Sequence, residues 1–334
     1  DRYLSYWSLF LGYIGLPFTI ISYLYSIADV KLEKKALYVY LIPVYWIFLG
    51  ISAMASFFKD DKNWDKTERN RAGGLEERMF ERIKKHDELL IFCSAFLIEI
   101  LFGLILISKY GSTIFNVDSS SYLYHARIVI DNGKYSGISS LVGTWLPLFQ
   151  IFLIPFTMID KLYMTGFSGT IVSAAMTGGT SVFLYKLAGG RNSRFAILAP
   201  VLFMSNIYTL IFGAIAMSEQ TAIFFMVVAS YFFKNYLDSG ETKPFINCSI
   251  ALILGSLVRY EIWPVAVLIS AVFLVKEIRN NHIHKVAHVH LPVWGIIAWL
   301  VMNLMIHRDM FWFNNNASSN RMQTEVFSKY FFGS

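Results

Sequence analysis

Charge is the first thing this sequence is short of. Asp, Glu, Lys and Arg together make up 16% of its 334 residues, where a soluble globular domain carries about 25%. Too few charged side chains remain to clothe a soluble surface. Cysteine is scarce as well: Cys93 and Cys248 both lie inside apolar runs and read as helix filler rather than as a disulfide. The sequence has no initiator Met and no cleavable signal pattern at Asp1, and it stops in a polar loop at Gly333-Ser334. It therefore reads as a fragment of a longer protein.

What is present in excess is apolar surface. Hydrophobic residues reach 55%, aromatic residues 17%, and the mean hydropathy is +0.49. They come in blocks of roughly 18–25 residues, the length that crosses a hydrocarbon layer about 30 Å thick. The expected fold class is all-α: a polytopic transmembrane helix bundle. Spans are expected at 6–28, 36–58, 89–108, 163–186, 194–216, 219–236, 245–258, 262–275 and 291–306. A further apolar run at 144–160 is interrupted by Pro147 and Pro155.

Basic residues orient such a bundle, because they collect in cytoplasmic loops. The net charge of +6 is read in that way, and no nucleic-acid partner is expected. Segment 59–88 carries nine Lys/Arg and nine Asp/Glu, with Gly73-Gly74 inside it. It is expected to be a cytoplasmic, interfacial linker between a two-helix unit at 1–58 and a bundle at 89–334. Loop 109–143 then lies outside, 276–290 inside, and His307-Arg308-Asp309 outside. Arg191 and Arg194 fit this walk if 144–160 re-enters or lies in the interface; the alternative is that both arginines are external.

On that topology Asp118, Glu219, Arg259, Glu261, Arg308 and Asp309, from four separate regions, share the external face. Polar groups at membrane depth are costly and usually functional. Carboxylates there suit base or metal chemistry, and guanidinium groups suit an anion such as phosphate.

The same segments carry a resemblance. Asn116-Val117-Asp118 through Tyr122, His125 and Arg127, then Asn132-Gly133-Lys134-Tyr135, looks like the first external loop of the GT-C glycosyltransferases, in particular the protein mannosyltransferase and aminoarabinose transferase group. Gly143 to Leu148, Met217-Ser218-Glu219-Gln220, Arg259-Tyr260-Glu261-Ile262-Trp263 and Asn303 to Phe313 resemble later elements of that family in the same order. Ser119, Gln220 and Ile262 depart from the commoner acid, Pro and Gly. The resemblance covers 89–334. Residues 1–75, with Trp64-Asp65-Lys66-Thr67, resemble the carboxyl-terminal membrane segment of a family-2 glycosyltransferase, which would make the protein a fusion with a cytoplasmic family-2 catalytic domain.

The resemblance implies an inverting glycosyltransferase of the cell membrane, multi-pass, with its active site facing outside. It would move a sugar from a polyprenyl-phosphate donor to an acceptor that is a protein, lipid or glycan. Asp118 would be the general base, with Glu219 beside it. Arg259 and Arg308 would hold the lipid phosphate, and Glu261, Tyr122 and His125 would line the substrate site. A divalent cation shared by Asp118 and Glu219 is compatible with the pattern but not indicated by it. Blander readings stand beside these: a helix cap for Asp118 and Glu219, local pairing for Glu261, packing for Tyr122. His282, His284, His288 and His290 read as a solvated loop rather than a metal cluster. The rival classes are a lipid-linked-sugar transporter or flippase and the membrane part of a polysaccharide synthase.

Overall fold

The computed structural model describes residues 87–131, 137–193 and 195–315. All fall in the second of two units into which the chain divides, Gly74–Ser334. The expected two-helix unit at 1–58, and all but the last two residues of the 59–88 linker, lie outside the described residues. Among the described residues the structure is all-helical, with no strand.

Helix α1 runs from Asp87 to Tyr110, about 36 Å at 1.5 Å per residue. Its acids Asp87 and Glu88 sit in the first turn and Lys109 in the last, each opposing the helix dipole. One face, with Leu97, Ile98, Leu101, Leu104 and Ile105, is exposed, while Ala95, Glu99 and Gly103 are buried. A loop follows, then α2 (Val117–Ile128), α3 (Pro147–Thr157), α4 (Asp160–Thr165) and α5 (Phe167–Leu187). Helix α3 has Pro147 in its first turn and Pro155 inside it. Its 11 residues span about 16 Å, half of a bilayer core.

Helix α5 is the axis of the bundle. Nine of its 21 residues are Gly, Ser or Thr, and its buried residues include Ser168, Thr170, Ser173, Thr177, Thr180 and Ser181. Several hydroxyls donate to the carbonyl one turn back, Thr177 to Ser173 at 2.9 Å and Ser181 to Thr177 at 2.9 Å, so they need no outside partner. Small residues let neighbouring helices come close. Gly178 is occupied by the Phe92 ring, and Gly103 of α1 by the Thr170 side chain. The two helices are antiparallel, because Lys186 pairs with Glu88 at 2.8 Å and Arg191 with Asp87 at 2.9 Å. Arg191 thus lies at the same end as the start of α1, which is the arrangement with one full crossing between residues 143 and 191.

The expected span 194–216 is not one helix. It divides into α6 (Leu198–Met204) and α7 (Ile207–Ala214). The break has a local cause: the Asn206 side chain accepts from Tyr208 N at 2.9 Å and starts a new helix, while the Ser205 hydroxyl donates to Leu202 O at 2.8 Å. Helix α7 then meets α8 (Glu219–Ser239) at a bend of 115°.

Gly240, in the left-handed region, ends α8 and turns the chain into α9 (Thr242–Ser256) and then α10 (Ile262–Arg279). Tyr236, Phe245 and Phe273 seal one end of this group, the last two stacked at 3.6 Å. A short α11 (Ile283–Val286) precedes α12 (Trp294–His307), and α13 (Trp312–Asn315) closes the described chain. Three stretches are long and apolar enough to cross a membrane: Asp87–Tyr110, Phe167–Leu187 and Ile283–His307. The bent pair α7–α8 would make a fourth.

Candidate functional site

Among the polar residues singled out above, Asp118 and Glu219 stand in the first turns of α2 and α8, and Arg259 and Glu261 in the turn between α9 and α10. Helix α5 prepares the ground for them. Ala216 rests on Gly169, where any Cβ would collide with it. The hydroxyl of Thr170 donates to Ala214 O, and Ser173 donates to Ile215 O at 2.9 Å. Gln220 Nε2 donates to Thr209 O at 3.1 Å. The carbonyls of Ala214 and Ile215, freed at the 115° bend, are thus satisfied by side chains of α5, and Ser218 and Glu219 are presented at a fixed place.

Arg259 is the hub. It lies in the turn between α9 and α10, after Val258 N and Arg259 N have both bonded back to Gly255 O. Its Nη1 donates to Glu219 Oε1 at 2.7 Å and to the Ser218 hydroxyl at 3.3 Å. Its Nη2 donates to Glu261 Oε1 at 2.7 Å, and its Nε contacts both Glu261 oxygens at 3.2 Å. Burial alone would lower the guanidinium pKa, but the Glu261 hydrogen bond and the charges of Glu219 and Glu261 outweigh it and hold it above the usual range. Burial would raise the Glu261 carboxyl, and Arg259 outweighs that too, so Glu261 sits below its usual range.

The two carboxylates differ in their surroundings. Glu261 is 63% exposed and Glu219 only 24%. The second oxygen of Glu219, Oε2, is buried with no hydrogen-bond partner among the described residues. A buried acceptor left open in this way marks a place where a donor is missing.

Tyr122 closes the ring. Its hydroxyl and that of Ser218 are 3.1 Å apart, and its ring packs edge-on against Phe149 and tilted against Trp145 at 5.2 Å. Burial pushes the phenol up to about 12, the Ser218 bond and the Arg259 charge pull it down, and the charges of Glu219 and Asp118 push it up again. Asp118 is therefore within electrostatic reach of the same group. It makes no hydrogen bond or ion pair among the described residues, and it is not the cap of α2. That role belongs to Asn116, whose side chain accepts from Ser119 N at 2.7 Å.

The structure thus brings Tyr122, Glu219, Arg259 and Glu261 together, with Asp118 one turn before Tyr122 on the same helix. It does not bring in two of the expected substrate contacts. Arg308 caps α12 in the left-handed region, exposed, and makes no ion pair among the described residues. Around it His307 bonds Val142 O at 2.7 Å and stacks on Trp312 at 3.9 Å. His125 lies one turn beyond Tyr122, half-buried, and burial pushes its imidazole below the usual range. It makes no hydrogen bond among the described residues.

Ser218 is a member of the site that the reading of charged residues passed over. Its signal was its place directly before Glu219. A metal would need a tighter acid cluster: no group of three or more His, Cys, Asp or Glu side chains among the described residues could hold one. Helices α3 and α5 also form an open apolar cavity of about 320 Å³, lined by Ile151, Phe152, Pro155, Phe156, Val172 and Met176.

Fold and site together define an all-helical bundle with three or four helices long and apolar enough to cross a membrane, carrying a ring of ionisable side chains among its described residues. No protein-family model and no curated protein sequence matches the chain.

Proposed function

We propose that this chain is a membrane glycosyltransferase that takes a sugar from a polyprenyl-phosphate-linked donor and passes it to a hydroxyl or similar acceptor at the external membrane face. The observation that carries the reading is the Arg259 hub: one guanidinium between a half-buried carboxylate with an open oxygen and an exposed carboxylate that can leave. The resemblance of 89–334 to the GT-C glycosyltransferases supports it from the sequence side.

The residues divide the work by their surroundings. Asp118, without an ion-pair partner among the described residues, is the group free to act as base. It takes the acceptor proton as the acceptor oxygen bonds to the anomeric carbon. The bond from that carbon to the lipid phosphate breaks, and the phosphate keeps the electron pair. Arg259 stabilises this departing phosphate, the charge that grows most in the transition state. The fork is full in the resting protein, with Glu261 standing where a phosphate would bind. Glu261 is the carboxylate that solvent can take up, so it is the one displaced. Glu219 stays, with Tyr122 and Ser218 holding its neighbourhood. The apolar cavity between α3 and α5 is suited to the start of a hydrocarbon chain.

The test is transfer from a purified polyprenyl-phosphate sugar by the Asp118→Asn protein. The substitution keeps the shape and removes only the proton acceptor. Transfer should be lost by a factor of roughly 10²–10⁴ while donor binding persists. Unchanged transfer would place the base elsewhere.

A second reading, a carrier of lipid-linked anions, is favoured by one observation. The α7–α8 pair is a helix broken at 115°, a feature that transporters use at their binding sites. A carrier would move the lipid in vesicles equally well with Asp118 or Asn at that position.

A further inference from the structure

Helix α1 contains one acid away from its ends. Glu99 is the thirteenth of its 24 residues, about 18 Å along the helix from Asp87 and about 16 Å from Tyr110. In a crossing helix that is the middle of the hydrocarbon. Its side chain is completely buried, and neither carboxyl oxygen has a hydrogen-bond partner among the described residues. The carboxyl group lies against Gly213, where a Cβ would collide with its carbon and both oxygens. The missing side chain at Gly213 is what makes room for it.

Among the described residues, nothing that could neutralise a carboxylate faces it. Helix α7, which carries Gly213, has Tyr208 in its first turn and no charged residue. Helix α5 has Tyr185 and Lys186 at its far end, where Lys186 pairs with Glu88 and Tyr185 donates to Asp87. On α1 itself the other ionisable groups are Asp87, Glu88, Cys93, Lys109 and Tyr110; all but Cys93 lie in the end turns, and Cys93 is exposed on the helix surface. An ionised group with neither counter-ion nor donor at this depth costs several kcal/mol. The neutral acid avoids most of that cost. It also offers a donor beside the last turn of α7, where a helix has carbonyls without partners of its own.

We propose that Glu99 is a proton-binding site in the membrane core, its carboxyl carrying a proton at neutral pH and sitting as an uncharged group against Gly213. The site takes a proton and no larger ligand, since Glu99 is enclosed on all sides. It is separate from the Arg259 hub and does not rest on the glycosyl-transfer reading.

Dicyclohexylcarbodiimide tests this, because it reacts with protonated carboxyls in apolar surroundings and spares ionised ones. With the full-length protein in lipid nanodiscs at neutral pH, peptide mapping should find the adduct on Glu99, and raising the pH should diminish it. Glu99→Gln should abolish that adduct. A second readout covers the case of poor reagent access. The unfolded chain gives up the Glu99 proton in the ordinary carboxyl range, about pH 4.3, and the folded one keeps it. Wild type should therefore lose thermal stability relative to Glu99→Gln as pH rises above that range, and the gap should stop growing only where the folded protein ionises. No adduct at Glu99, together with parallel stability curves for the two proteins, would overturn the proposal. An adduct that survives Glu99→Gln unchanged would overturn it as well, by locating the reactive acid elsewhere.

Discussion

The two halves of the Arg259 fork should contribute very differently to stability, and their environments set the difference. Toward Glu261 the guanidinium makes three contacts of 2.7–3.2 Å, but the acid is 63% exposed. Solvent replaces what is lost there, so the pair should contribute about 0–1 kcal/mol. Toward Glu219 there is a single ionic contact at 2.7 Å, but this acid is 24% exposed and its other oxygen is already buried and open. Removing Arg259 leaves Glu219 with no ion-pair partner among the described residues. A fully buried broken pair costs about 3–5 kcal/mol, and partial exposure reduces that to roughly 1–3. The measurement is a pair of double-mutant cycles on denaturant unfolding in detergent, using Arg259→Ala with Glu219→Gln and with Glu261→Gln. The Glu219 coupling should exceed the Glu261 coupling by about 1 kcal/mol or more. Equal couplings, or a larger one to Glu261, would refute the claim that burial rather than the number of hydrogen bonds decides the strength of this hub.

Other expectations concern the scaffold and its ends. Gly169→Ala should lower thermal stability and displace Ser218 and Glu219, since its Cβ would occupy the place of Ala216; the loss should be in the range of about 1–3 kcal/mol given for overpacking, read by thermal unfolding. Burial raises the Glu277 carboxyl, but hydrogen bonds from Tyr236 and His282 outweigh it and leave it below the usual range. Its contribution is thus present above about pH 4.5 and lost as the pH falls below it. Glu277→Gln should flatten the acid limb of the stability curve, and an unchanged limb would remove Glu277 from the explanation. Single cysteines at Ser120 and Ser239, both exposed, in a background without Cys93 and Cys248, should react with an impermeant thiol reagent from opposite sides of a vesicle; labelling from one side would reverse the orientation of α8 relative to α2.

The sequence made some of this arrangement legible and hid the rest for physical reasons. Apolar run length located α1, α5, α8 and the run into α12, because a helix long enough to cross a hydrocarbon layer must be apolar on average along its length. It could not locate the break at Ser205-Asn206, where two small polar residues interrupt an otherwise apolar stretch and the cap made by Asn206 decides against continuity. Arg259 and Glu261 are two apart, a spacing that shares no face on a helix, and local pairing was only the blander reading of Glu261. They meet because residues 257–261 form a turn between α9 and α10. The Tyr122–Ser218 contact joins residues 96 apart, and no local pattern announces such a pair. Glu99 had a plain signal, a lone acid at the centre of the run 89–108, but attention to acids near span ends passed over it.

The composition of α5 also bears on how the protein is made. A chain entering the membrane presents its segments one at a time, and each is accepted or refused on its own affinity for lipid. Helix α1, with its broad aliphatic face, meets that condition unaided. Helix α5, rich in Gly, Ser and Thr, meets it poorly, and its hydroxyls find most of their partners within the helix or on the turn at 214–217 that is synthesised later. Its place in the bundle is therefore stabilised by neighbours on both sides of it in time: α1, made earlier, and the turn into α8, still to come. A substitution that loosens either contact, at Gly103, Gly169 or Gly178, would be expected to show first as misinsertion and degradation during synthesis, before any weakness is visible in the finished protein.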